Sequence, residues 1–94
     1  MIAPDFGPKF SPGQIVITAN AQARLPMHEV DTALRRHLRG DWGELDAHDV
    51  QENQRSLQDS CRLLSSYRAR DGTPFWIITE ASRDYTTVLL PEDY

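Results

Sequence analysis

The sequence predicts an α+β domain of order β-α-α-β-β-β, with two helices packed on one face of a mostly antiparallel sheet. Three observations carry this. Met27, Val30, Ala33, Leu34, His37 and Leu38 recur at three- and four-residue spacing, as one face of a helix does. "PFWIITE" and "TTVLL" are dense in aromatic and β-branched residues. Between the late strands, "DGT" and "ASRDY" supply turn chemistry.

Each element follows in chain order. Residues 1–13, "MIAPDFGPKFSPG", hold three prolines and two glycines, which block helix and central strand alike, so an irregular arm is expected. Phe6 and Phe10 are its candidate anchors. Residues 14–94 form the single domain, beginning with the short strand "QIVIT". Pro26 suits the first turn of the first helix, where a missing N–H costs nothing. Asp31 and Arg35 stand one turn apart in the favourable acid-first order. Arg35, Arg36 and Arg39 crowd the helix end, and Gly40 can take the left-handed stop.

A second helix is expected from about Asp46 to Gln58, capped by Asp46, with Asp49 adding an acid to its first turn. Its apolar stripe is thin: Ala47, Val50, Leu57 and Cys61. "CRLLSSYR", "PFWIITE" and "TTVLL" then make a meander, and Pro91 ends the pairing.

Composition narrows the function. The chain has 94 residues, one cysteine and a net charge of −4. The lone Cys61 excludes an internal disulfide and fits a reducing compartment. No apolar run is long enough to cross a bilayer, and no secretory leader is evident, so a cytoplasmic protein with no membrane partner is expected. The charge is blocked. Asp41, Glu44, Asp46, Asp49, Glu52 and Asp59 face only Arg55 across residues 41–60, whereas Arg62, Arg68 and Arg70 follow without an acid between them. An acidic chain makes a poor nonspecific nucleic-acid binder, because that binding scales with neutralised phosphates.

No catalytic set, metal site or cofactor emerges. His28, His37 and His48 match no helical ligand pair such as i, i+4, and no cysteine–histidine set accompanies them. Cys61 has no local feature that would lower its pKa. Gly7 and Gly13 lie far from any strand-to-helix turn that could cradle a phosphate. His37, on the apolar stripe, and Trp42, in the bend "GDWG", read as structural anchors. Arg62, Tyr67, Arg68 and Arg70, with Arg83 and Tyr85 on the next turn, form the one polar set suited to gripping a phosphate and stacking on a base.

"ITANAQARL", "ALRRHLRGDWGELDAHD" and "GTPFWIITEASRDYTTVLLPEDY" resemble a family of small uncharacterised bacterial proteins carried on plasmids and integrating elements. The resemblance spans about residues 15–94 and carries no catalytic residues with it. Some members are labelled as a type I restriction methylase subunit; this chain has neither an Asn-Pro-Pro-Tyr motif nor a glycine-rich methyl-donor loop. The element order also resembles RelE/ParE-type toxins, a likeness of topology alone. In a toxin-like ribonuclease the strand arginines with Tyr85 or Tyr94 would be the active-site candidates.

The leading expectation is a non-enzymatic interaction or regulatory protein of a mobile element, with a protein partner. The alternatives are the ribonuclease and an acidic inhibitor that imitates nucleic acid through residues 41–60. A homodimer is also expected. In the "PFWIITE" strand, Phe75 and Ile77 face one way and Trp76 and Ile78 the other, so both faces are apolar and the helices can cover only one. The arm, through Phe6 and Phe10, is the competing cover.

Overall fold

Four strands form one sheet in a computed structural model of the protein, which describes residues 7–94. The order along the chain is β1 (Gln14–Ile17), α1 (Ala19–Arg24), α2 (Met27–Leu38), α3 (Ala47–Asp59), β2 (Leu63–Arg68), β3 (Pro74–Thr79) and β4 (Tyr85–Leu89), closed by a 3-10 turn over Pro91–Asp93. In space the strands run β1-β4-β3-β2. The pairs β2–β3 and β3–β4 are antiparallel, and β1 joins β4 in parallel. The fold is α+β, as the sequence predicts.

α1 is an addition to the expected order. Thr18 caps it by accepting the Ala21 N–H, and its alanine-rich turn needs little further stabilisation. Ala21, together with Leu25 just beyond the helix, is buried in the core. α2 starts directly after Pro26 and buries Val30, Ala33 and His37.

The strand alternation divides the sheet cleanly. Leu63, Ser65 and Tyr67 of β2, Phe75, Ile77 and Thr79 of β3, and Thr86 and Val88 of β4 are in register on one buried face. Leu64, Ser66, Trp76, Ile78, Thr87 and Leu89 alternate with them onto the second face.

Two expectations need correction here. α3 does not bury the stripe Ala47, Val50, Leu57 and Cys61: Ala47 and Cys61 are exposed, Val50 and Leu57 half-buried. Its one buried residue is Asn53, because α3 runs along the outer edge of β2 rather than over the sheet. Nor does Phe10 cover the second face. It packs edge-on to His37 at 5.3 Å and stacks on Trp42 at 6.4 Å between centroids, on the helix side. Phe6 lies outside the described residues. The second face is closed in part from the other end of the chain, where Tyr94 packs edge-on to Trp76 at 5.7 Å.

The β2 edge is sealed. Ser66 donates its N–H to the Trp42 carbonyl and accepts from the Glu44 N–H, so the loop before α3 acts as a short extra strand. Gly43 makes this possible: its φ is +75°, and a Cβ there would stand 2.0 Å from the Ser66 carbonyl oxygen.

Candidate functional site

Two polar arrangements stand out, one inside the fold and one on its surface. Inside, His37 is fully buried and satisfied at both ring nitrogens, Nδ1 by Ser65 Oγ at 2.5 Å and Nε2 by Thr79 Oγ1 at 2.9 Å. Thr79 Oγ1 lies 2.7 Å from Thr86 Oγ1, and Thr86 donates to the Pro12 carbonyl at 2.8 Å.

That last bond orders the rest. With its proton given to Pro12, Thr86 must accept from Thr79, and Thr79 must accept from His37 Nε2–H, leaving Nδ1 to accept from Ser65. Burial, and then the positive charge of Arg83, pull the imidazole pKa down to about 4, so the ring is neutral at physiological pH. The ladder ties α2, three strands and the arm together. It offers no open position for a substrate.

On the surface, Asp46 opens α3 by accepting the Asp49 N–H at 2.9 Å. With Asp49 and Glu52 it lies on one stripe of the helix, about 4.5 Å apart along the axis. These acids, with Glu44, Leu45 and Asn53, form one wall of a groove of about 600 Å³ whose other side is Leu64, Ser66 and Trp76 of the second sheet face. Among the described residues, four carboxylates and no cation line it. Glu44 meets Arg68 at 3.4 Å and Glu52 meets Arg55 at 2.7 Å, whereas the Asp49 carboxylate has no partner among the described residues.

The arginine–tyrosine set does not converge. Tyr67 is buried on the helix side and donates to the Asp41 carbonyl at 2.6 Å; burial pushes its phenol pKa well up. Arg68 and Arg70 lie at the β2–β3 turn, where Arg68 donates to Gly72 O and meets Glu44. Arg62 is at the opposite end of β2, six residues or roughly 20 Å from Arg68, beside Glu80 and Tyr94. Arg83, near Arg62, spends its guanidinium on the Ser56, Cys61 and Glu80 carbonyls. Tyr85 is exposed on β4.

The chain was compared with family models, curated proteins and solved structures and matches none of them. Its own chemistry is therefore the guide.

The remaining sequence candidates fall into place. Trp42 is buried against His37 at 5.6 Å, its indole N–H without a hydrogen-bond partner among the described residues. Phe75 and Ile77 are core, and Ile78 is buried on the second face. Trp76 borders the groove, whereas Phe75 lines a separate cavity of about 150 Å³ beside α2. His28 and His48 are exposed, and among the described residues no cluster of histidine, cysteine or acids could hold a metal. Cys61 is exposed, its thiol 3.8 Å from the Asp59 carbonyl. Among the described residues no helix is long and apolar enough to cross a membrane.

Sequence reasoning did not anticipate Leu45, Asn53 or Leu64 as neighbours. The readable signal was an amphipathic mismatch: a helix with acids at i, i+3 and i+6 but almost no apolar stripe must have something other than a sheet against it.

Proposed function

We propose that this protein is a small non-enzymatic interaction module, of the kind that mobile elements encode, and that it holds a protein partner in the groove between α3 and the second sheet face. The observation that carries this reading is the combination in one groove of an aromatic and aliphatic floor with a wall of four carboxylates, of which only Glu44 and Glu52 meet an arginine among the described residues. Surfaces built this way gain affinity from the apolar centre and selectivity from the charged rim.

The reactive side chains support the same reading by their employment. His37 is neutral and sealed, Tyr67 donates to a backbone carbonyl, and Arg83 is committed to three carbonyls. A toxin-like ribonuclease working through the arginine–tyrosine set would need those side chains within reach of one phosphate. The dispersed set weighs against it.

The test is comparative capture. Asp46→Asn, Asp49→Asn and Glu52→Gln together remove the charge of the wall, and asparagine at 46 keeps the helix cap. A partner retained by the unaltered protein and lost by the triple variant supports the reading. Identical capture by both overturns it, as does RNA cleavage that Arg68→Ala abolishes. The acidic-mimic alternative shares the wall; it predicts that duplex DNA or RNA displaces the partner.

A further inference from the structure

We infer that the partner reaches the groove through a basic amphipathic segment, with lysines or arginines at helical spacing on one side and aliphatic residues on the other. This rests on the groove reading and deepens it by naming the partner's chemistry.

Size comes first. A groove of about 600 Å³ is within the range of sites that enclose several side chains rather than one. Charge then selects the occupant. Phosphates and acidic peptides would meet Glu44, Asp46, Asp49 and Glu52 with no cation among the lining residues. Glu44 and Glu52 are shared with Arg68 and Arg55, but the Asp49 carboxylate has no partner among the described residues, and Asp46 has committed one oxygen to its cap. Cations in the partner would find unsatisfied acceptors here, and more would become available if exposed Arg55 swung aside.

Spacing adds direction. Asp46, Asp49 and Glu52 rise about 4.5 Å apart along α3. A helix lying alongside, with basic residues three or four positions apart, matches that ladder step for step. The floor completes the match. Trp76 is half-buried, fixed edge-on by Tyr94, and flanked by Leu64 and Leu45. It can take an aliphatic side chain, or a guanidinium over its ring.

The probe is a designed amphipathic leucine–lysine peptide of about four helical turns, titrated into the full chain labelled with nitrogen-15. Two peptides serve as controls: its leucine–glutamate counterpart and an oligolysine of equal length. The expected result is saturable one-to-one binding, with shifts gathered at residues 44–53, 64–66 and the Trp76 indole. Affinity should fall about tenfold or more in the Asp46→Asn, Asp49→Asn, Glu52→Gln variant. A variant with Asp31→Asn, Asp59→Asn and Asp84→Asn has the same net charge and should retain binding. Oligolysine should bind more weakly than the amphipathic peptide, because it lacks residues for the Trp76 floor.

Shifts scattered over the surface, or equal loss in both charge variants, would mean diffuse attraction and overturn the inference. Binding of the glutamate peptide in place of the lysine peptide would overturn it too. If the basic peptide leaves the groove untouched while native-partner capture still depends on the carboxylate wall, only the partner chemistry is wrong. If neither depends on the wall, the groove reading falls with it.

Discussion

Asn53 extends the closure of the β2 edge from Ser66 to Leu64 with a single side chain. Its amide donates to the Leu64 carbonyl at 2.7 Å, and its oxygen accepts the Leu64 N–H at 3.2 Å. The pair copies what a neighbouring strand would offer, so α3 is held to β2 by a backbone mimic rather than by an apolar stripe. This is why a helix with so little hydrophobic surface packs at all, and it sets the groove wall at a fixed distance from Trp76.

Asn53→Ala should therefore cost about 2–3 kcal/mol, because two backbone groups lose their partners in a partly buried setting. Urea unfolding measures the loss. The bared edge should also add concentration-dependent association seen by light scattering. A variant that loses under about 0.5 kcal/mol and stays monodisperse would mean that α3 is anchored elsewhere.

His37 makes stability depend on pH in a defined window. Its folded pKa is lowered to about 4, against an ordinary 6.5 in the unfolded chain. The unfolded state thus takes a proton first, and the contribution is fully present above about pH 6.5 and lost as pH falls towards 4. The difference is worth on the order of 3 kcal/mol. Chemical denaturation between pH 7 and 4.5 should show this slope, and His37→Gln should flatten it even though the variant is less stable at pH 7. An unchanged slope in that variant would assign the acid sensitivity to carboxylates, such as Asp41, whose pKa is lowered chiefly by its hydrogen bond to Arg36.

The α2 stripe was legible because Met27–Leu38 carries a 3.6-residue period over a full element, and the last two strands because "PFWIITE" and "TTVLL" are dense in aromatic and β-branched residues between turn signals. α1 was not, because six residues make too short a window for periodicity, although Thr18 before an alanine-rich run was a usable start signal. The groove was half legible. Acids at 46, 49 and 52 share one helix face from sequence alone, but their approach to Trp76 depends on Asn53 finding the Leu64 backbone, a contact that no pattern encodes. The arginine set misled for a related reason. Alternation places Arg62 and Arg68 on one face of a strand, yet says nothing of the distance between its two ends or of the carbonyls that Arg83 meets.

Gly43 should tolerate no side chain. Its φ of +75° costs an L-residue roughly 1–2 kcal/mol, and the Ser66 oxygen 2.0 Å from a Cβ forces the loop off β2 as well. Gly43→Ala is expected to lose about 3 kcal/mol or more and to change the near-ultraviolet dichroism of Trp42, which the same loop positions. Because Glu44 and Leu45 follow directly, peptide binding at the groove should weaken too. Full stability in this variant would show that the Gly43–Ser66 bridge is dispensable.

Arg83 separates a structural role from an RNA-binding one. It adopts φ +64°, which an arginine enters at a cost, and its guanidinium donates to Cys61 O at 2.6 Å, Glu80 O at 3.0 Å and Ser56 O at 3.2 Å. These bonds join the β3–β4 turn to the end of α3, and the cation also lies over the Phe10 ring at 5.7 Å. Arg83→Ala should cost about 2–4 kcal/mol, since charge-assisted bonds to three carbonyls are lost while the left-handed backbone remains. Arg83→Gly loses the same bonds but relaxes the backbone, so it should be the milder change by about 1 kcal/mol. Arg68→Ala, with an exposed partner in Glu44, should stay within about 1 kcal/mol. Thermal and urea unfolding of the three variants give the ranking directly. A phosphate-gripping role predicts the opposite pattern: Arg68→Ala and Arg83→Ala would both leave stability intact and abolish RNA binding.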